Sequence, residues 1–428
     1  MPIPDGAKNT DLDLVIIGAG ASGLAAAREV ERKKLSYVLL EAKPHAGGRT
    51  FTEAASLGVP FDHGAYWMHS ASLNPYAKIA DSLGFTYRKE AHRRRVFMGD
   101  RWATDRELQE REAFFERSLA AVMDAGRAGK DVPYSHVVEE GGPWRPLLDQ
   151  WIAAVNGVDP DEASTLDHAN YRDTGENWPV REGFGELVVR HASGIRVETD
   201  TPALRVRWGG PALRVETPKG TLSARGVILT VSTGVLASGV IRFDPPLPEW
   251  KQSAIQAIPM GKANKVAFRF SRDVFDVPDD SSATVFAESS NTLGFQLRHF
   301  GQNLAIGYLG GRFCSEMEAA GPEAMEDFGL ERLKSLFGSG IVKHLLGSVS
   351  TAWERDPFIR GAYSAARPGS AHRRADLATP VEDRLFFAGE AASREFFSTV
   401  HGAYFSGVEA AAAAARALER AAPRVQPG

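Results

Sequence analysis

Among 428 residues there is one cysteine, Cys314. An internal disulfide is therefore impossible, and so is a thiolate metal cluster. His45, His63 and His69 do not fall into an H-E-x-x-H or similar ligand spacing, so no metal site is expected. No run approaches the ~18 apolar residues of a membrane span. The alanine-rich stretch Val408–Leu418 is interrupted by Glu409 and Arg416 and reads as a packed helix. A formal charge of −4 exerts no long-range pull on nucleic acid. The opening residues, MPIPDGAKNTD, lack the basic and apolar segments of a secretory signal. These absences lead to the expectation of a cytoplasmic protein with no metal, no membrane contact and no nucleic-acid partner. Oligomeric state leaves no trace in the sequence. What remains is ordinary for a soluble chain: 43% apolar and 24% charged residues, long enough for two or more domains.

The most informative stretch is Leu14 to Arg49. An apolar run, Leu14 to Ile17, reads as a buried strand. Gly18, Gly20 and Gly23 follow as G-x-G-x-x-G, and Leu24 to Arg32 are helix formers. A second apolar run, Tyr37 to Leu40, ends on Glu41. Gly18 permits the turn out of the strand. Gly20 lets backbone approach a pyrophosphate, and Gly23 lets helix pack on strand. The free N–H groups and dipole of the helix N-terminus, around Ala21 and Ser22, then hold phosphate. Glu41 stands at the tip of the second strand, where a carboxylate accepts from ribose hydroxyls. Strand, glycines, helix, strand and acid together point to a bound dinucleotide. Gly47, Gly48 and Arg49 follow at once, and a guanidinium beside a glycine pair suits a second pyrophosphate contact.

Further along, Pro75 to Gly84 reads as a helix with Gly84 as its cap, and His92 to Arg95 as a solvated basic run. Leu108 to Ala125 and Trp144 to Val155 have a helical pattern; Asn170 to Val180 is loop-like; Glu186 to His191 forms a short helix. The period then changes to two. Ile195–Val197, Ala203–Trp208, Leu213–Thr217 and Gly226–Val231 read as a β-meander. Pro245, Pro246 and Pro248 mark a linker, and residues 251 to 258 a helix. Lys265 to Ser271, KVAFRFS, alternates strongly and predicts a strand opened by Lys265. Strands are expected near 283–287, 294–298 and 304–307, a helix over 322–337, and a buried strand at Leu385–Phe387. The expected fold is α/β, or α+β overall. A Rossmann-type cofactor domain with a parallel sheet and a meander takes residues 1–88, 190–245 and 378–428. A domain with a mainly antiparallel sheet flanked by helices takes residues 89–189 and 246–377.

Several segments resemble the flavin-containing amine oxidase superfamily of monoamine and polyamine oxidases, L-amino-acid oxidases and flavin histone demethylases. They are the Gly47-Gly48-Arg49 extension, FDHGAYWMHS (61–70), TVSTGVLASG (230–239, with Ser232 where proline is usual), WERDPFIRGAYS (353–364), LFFAGEAAS (385–393) and STVHGAYFSGVEAA (398–411). The style is nearest to polyamine oxidases. The resemblance implies FAD, with Ala42, Gly48, Arg49, Ala65, Tyr66, Trp67, Ala203, Gly389, Glu390, Thr399 and Val400 joining the fingerprint residues around it. It implies that Lys265 bonds through water to flavin N5, with Lys262 as the competing assignment. Trp353 and Tyr363 are implied as aromatic walls. Ala362 sits where monoamine oxidases carry the cysteine that bonds flavin, so the FAD is expected to be non-covalent. Those oxidases also carry a C-terminal membrane anchor, which AAPRVQPG does not resemble.

The resemblance further implies that the substrate gives a hydride to flavin N5 and leaves an imine that water hydrolyses. Oxygen then returns hydrogen peroxide. The substrate is expected to be a polyamine or another primary or secondary amine. Tyr66, His69 and Tyr363 are candidates for its cavity, and Glu176, with Asp173 and Glu182, for a second ammonium group. An L-amino-acid oxidase is the alternative, with Arg94 or Arg95 offered to a carboxylate. A desaturase like protoporphyrinogen oxidase and a non-enzymatic FAD-binding protein are further alternatives.

Overall fold

The computed structural model describes residues 12–89 and 94–421. Two large sheets dominate it. The first grows from the strand Leu12–Ile17, which pairs in parallel with Tyr37–Leu40 on one side and with Gly220–Leu229 on the other. Its apolar run is continuous because both of its faces are buried. Leu14 and Ile16 point into one core, with Leu39, Ile228 and Phe386; Val15 and Ile17 point into another, with Leu40, Val227 and Leu229. The helices Ala21–Arg32 and Val400–Ala421 cover the first of these faces and pack on each other. Leu385–Phe387 pairs in parallel with Gly220–Leu229 and so brings the late part of the chain beside its beginning.

The meander is shorter than expected. Arg205–Arg207, Leu213–Thr217 and Gly220–Leu229 form it, and Arg242–Asp244 extends it at one edge. The segment near Ile195 instead gives Val197–Glu198, paired in parallel with Tyr37–Leu40 at the opposite edge. Alternation shows that a segment is a strand, but not which edge it joins.

The second sheet runs Leu345–Ser350, Ala263–Phe270, Leu304–Gly310, Gly294–Leu297, Ser281–Val285 and Arg94–Phe97. All of its pairings are antiparallel except the last. The helix Pro322–Phe337 packs against it, and helices Asp105–Arg127 and Arg145–Asn156 build a separate core beside it. Asn170 to Val180 is not all loop, because Asn177–Pro179 pairs antiparallel with Trp67–His69. Such a pair is held by backbone bonds and leaves little apolar signal. Lys265 is the third residue of its strand rather than the first. The helix Gly311–Ala320 and the strand Leu345–Ser350 have no counterpart among the expected elements. Of the basic run, His92 and Arg93 lie outside the described residues. No described helix is long and apolar enough to cross a membrane.

Candidate active site

A cavity of about 470 Å³ runs between the two sheets. One end is the glycine fingerprint. Gly18 has φ +102°, and a Cβ on Gly23 would stand 1.8 Å from the Gly18 carbonyl oxygen. Gly23 is thus the contact of helix with strand and does not itself line the cavity, whereas Gly18, Gly20, Ala21 and Ser22 do. The two glycine turns meet: Gly20 bridges Gly47, and Gly47 N–H donates to Ala19 O at 2.9 Å. Glu41 is pinned at this end, accepting from Ala19 N–H at 2.8 Å and Lys43 N–H at 2.9 Å. Ala42 and Ala203 line the same end, as do the exposed apolar side chains Leu204 and Val240.

Arg49 comes next. Its Nη1 donates to Ala362 O at 2.8 Å and to Glu390 at 2.7 Å. Glu390 is buried and also accepts from Ser364 N–H, Ser364 Oγ and Ser398 N–H. Burial pushes its carboxyl up, but Arg49, Ser364 and Arg374 together hold it below the usual range. Arg374 extends this network. It forms a buried pair with Asp167 at 2.7 Å and donates to Ser364 Oγ at 2.8 Å. Gly389 and Gly48 line the cavity beside these groups. Thr399 and Val400 line it at the start of the helix Val400–Ala421, where N–H groups lack acceptors within the helix.

The far end holds the chemistry-bearing residues. Lys265 Nζ is buried and donates to Asp62 O at 2.7 Å. It lies 5.2 Å from the Tyr66 ring centroid, 5.7 Å from that of Tyr308 and 5.8 Å from that of Phe61. Burial pushes its ammonium down to about 8. Ala65, Tyr66, Trp67 and His69 come from the segment entering and forming the strand Trp67–His69, and all four line the cavity. A Cβ at Gly64 would stand 1.9 Å from Arg49 O, so this segment passes as close to the Arg49 turn as backbone allows. Trp353 and Tyr363 are walls: Trp353 Nε1 donates to His63 O at 3.3 Å, and the Tyr363 hydroxyl donates to Ala154 O.

Some expected residues are elsewhere. Glu176 lies on the outer loop, where it accepts from Ser72 N–H and Thr174 Oγ1, and does not line the cavity. The loop carries it away because Asn177, one residue later, starts the pairing with His69. Lys262 is half exposed, 3.3 Å from Glu354. Arg94 is exposed beside Glu112, and the Arg95 guanidinium stacks 3.9 Å over Trp102. Cys314 is buried in its helix and does not line the cavity, whereas Ala362 does.

Other residues were not anticipated. Tyr308 stands opposite Lys265 in the strand pair, stacked on Trp67 with centroids 5.4 Å apart. The alternation of LAIGYLG was its only signal. Asn264 Oδ1 accepts from Thr351 Oγ1 and from Trp353 N–H, and Thr351 Oγ1 accepts from Lys265 N–H, so one small network sets both the lysine and the tryptophan. Spacing does not reveal a network drawn from residues so far apart.

These residues fit a dinucleotide flavin. The Ser22 hydroxyl, buried at the helix N-terminus, has no partner among the described residues. The Gly20 N-cap of that helix offers no side-chain capping bond. Both leave donors for phosphate. Among the described residues, no group of three or more His, Cys, Asp or Glu is placed to hold a metal ion.

Comparison with known proteins agrees with this geometry. A family model described as flavin containing amine oxidoreductase matches residues 21–415. Lysine-specific histone demethylase 1 homolog 1 of Oryza sativa is 31% identical over 96% of this chain and 53% of its own length. Lysine-specific histone demethylase 2 of Homo sapiens is 27% identical over 93% of this chain and 53% of its own. The chain thus spans about half the length of these relatives. Polyamine oxidase 4 of Oryza sativa is 29% identical over 93% of this chain and 87% of its own. Among solved structures, putrescine oxidase bound to putrescine superposes with a TM-score of 0.80 at 20% identity, covering 94% of this chain and 98% of that one. Cyclohexylamine oxidase from Brevibacterium oxydans gives 0.78 at 24%, covering 96% and 100%. At these identities the structural likeness shows the fold.

Proposed function

The chain belongs to the flavin containing amine oxidoreductase family, and from that premise we propose that it is an FAD-dependent oxidase of primary or secondary amines, passing electrons to oxygen. One observation carries the proposal: a buried lysine, Lys265, faces the cavity among the rings of Tyr66, Tyr308 and Phe61, beyond the dinucleotide fingerprint. The relatives named as polyamine oxidases support an amine as the substrate class.

When bound, FAD supplies the two-electron acceptor for the α-hydride of the amine, which leaves as an imine and is hydrolysed by water. The protein's tasks are to bind, orient and select the charge state. Gly18, Gly20, Ser22, Glu41 and Arg49 would hold the adenosine and pyrophosphate, and Thr399 and Val400 would offer helix N–H groups to the ring end. Trp67, Tyr308, Trp353 and Tyr363 line the cavity and would form an aromatic slot that orients the reacting carbon and limits its contact with water. The low polarity of that slot and the Lys265 ammonium both disfavour a protonated substrate, so the uncharged amine is the form that reacts.

The amino-acid oxidase alternative requires a free cation for a carboxylate. Among the described residues lining the cavity the cations are Arg49 and Lys265; Arg49 is engaged with Glu390 and Ala362, Lys265 donates to Asp62 O among aromatic rings, and Arg94 and Arg95 do not line it. Anaerobic mixing of the holoenzyme with amines should bleach the flavin absorbance, and a peroxide-coupled assay in air should report turnover. Bleaching by amino acids but not by amines would overturn the proposal. Acid precipitation should leave a colourless pellet and a yellow supernatant, as expected for FAD held without a covalent bond; a yellow pellet would contradict it.

A further inference from the structure

Around Lys265 the cavity is walled largely by aromatic and aliphatic side chains, with His63, His69 and Asn264 among them. Trp67 and Tyr308 stack there, and Ala154, Leu309, Tyr363 and Ala403 complete the walls. Among the described residues that line the cavity, the carboxylates are Glu41 and Glu390. Both are engaged at the cofactor end: Glu41 by two backbone N–H groups, and Glu390 by Arg49, Ser364 and Ser398. The nearby loop acids are turned to other partners. Asp173 accepts from Gly175 N–H at 2.9 Å, Glu176 from Ser72 N–H at 3.2 Å, and Glu182 from Thr86 N–H at 3.0 Å. None of the three lines the cavity.

The groups that can carry positive charge here are Lys265, His63 and His69, and the His63 Nε2 is engaged with Glu53 at 3.0 Å. Burial lowers the pKa of both histidines and so favours their neutral rings, and the His69 Nδ1 is engaged with the Asn177 side chain. A second ammonium on the substrate would therefore meet a lysine and apolar walls, with no anion to offset its loss of water. A single neutral nitrogen is better served. The buried Tyr308 hydroxyl has no hydrogen-bond partner among the described residues, so one neutral donor and acceptor stands unused on the wall.

We infer that the substrate is an apolar monoamine, with one basic nitrogen on an alkyl, alicyclic or aryl-alkyl skeleton, and not a diamine or polyamine. This rests on the amine-oxidation reading above and narrows it.

The test uses the holoenzyme and chain-matched amines. Hexylamine is compared with hexamethylenediamine, which differs by one terminal ammonium, alongside cyclohexylamine, benzylamine and spermidine. Anaerobic stopped-flow gives the rate of flavin bleaching against concentration for each. The monoamine of the matched pair is expected to exceed the diamine in second-order rate constant by at least about tenfold, with spermidine weaker still. Equal rates, or a preference for the diamine or spermidine, would overturn the inference and leave amine oxidation standing. Absence of bleaching by every amine would overturn amine oxidation itself, and the inference with it.

Discussion

At the scale of single residues, Lys265 has the most consequence. Its position within the strand Ala263–Phe270 places it inside the molecule, and burial brings its pKa to about 8. Replacing it by methionine keeps the shape and removes the charge. Lys265→Met should slow flavin reduction or reoxidation on the order of a hundredfold, the scale of one positioned proton-transfer group. Stopped-flow of the two half-reactions checks this; unchanged rates in both would remove the assignment. The step served by the charged lysine should weaken as pH rises through about 8, and the variant should lose that limb. Cavity-lining residues are legible where a motif surrounds them, as at Gly18, Glu41, Arg49 and Glu390. Tyr308 and Asn264 are not, since each is an unremarkable letter in an alternating run until the fold sets it beside Lys265 or Trp353. Glu176 failed for the opposite reason. An acid on a polar loop invites a role, and only the pairing of Asn177 with His69 shows that the loop holds it outside.

Among the elements, the short helix Arg373–Ala378 is held in an unusual way. Lys251, fully buried on the helix Glu249–Ala257, donates its Nζ to the carbonyls of Asp376, Leu377 and Thr379 at 2.8, 2.8 and 2.6 Å. One lysine thereby serves two of the C-terminal carbonyls that the helix leaves open and that of its cap residue, Thr379. Lys251→Met leaves buried acceptors unpaired, and a loss of about 2–4 kcal/mol is expected from the cost of such groups. Denaturant unfolding would measure it, and a change below about 0.5 kcal/mol would show that water replaces the lysine. The elements themselves were legible where a period or an apolar run marks them. Tyr37–Leu40, Pro322–Phe337 and Leu385–Phe387 have the bounds that their apolar residues indicate. The pairs Trp67–His69 and Asn177–Pro179 were hidden because backbone bonds, not side-chain pattern, define them.

For the molecule as a whole, partly or fully buried histidines set a pH limit. Burial lowers the pKa of His63, His69, His168, His191 and His401, the last to about 3. In the unfolded chain each titrates near its ordinary value of about 6.5. The unfolded state therefore takes up protons first as pH falls. The stability these groups contribute is present above about 6.5 and is lost as pH drops toward their folded values, at up to ~1.4 kcal/mol per pH unit for each proton. Urea unfolding between pH 7 and 5 should show stability falling with acid, and a flat profile would mean that these rings charge within the fold.

The contact of Arg49 with Glu390 spans 341 positions of the chain. The sheet that carries the fingerprint is likewise completed by Leu385–Phe387 and covered by Val400–Ala421. During synthesis, then, the glycine turns emerge early, whereas the carboxylate that clamps Arg49 emerges 341 residues after it. A nascent chain that stops short of Glu390 lacks both that residue's clamp on Arg49 and the N–H groups at Thr399 and Val400. A complete cofactor cradle therefore needs the late segment Glu390 to Val400 as well as the early glycine turns.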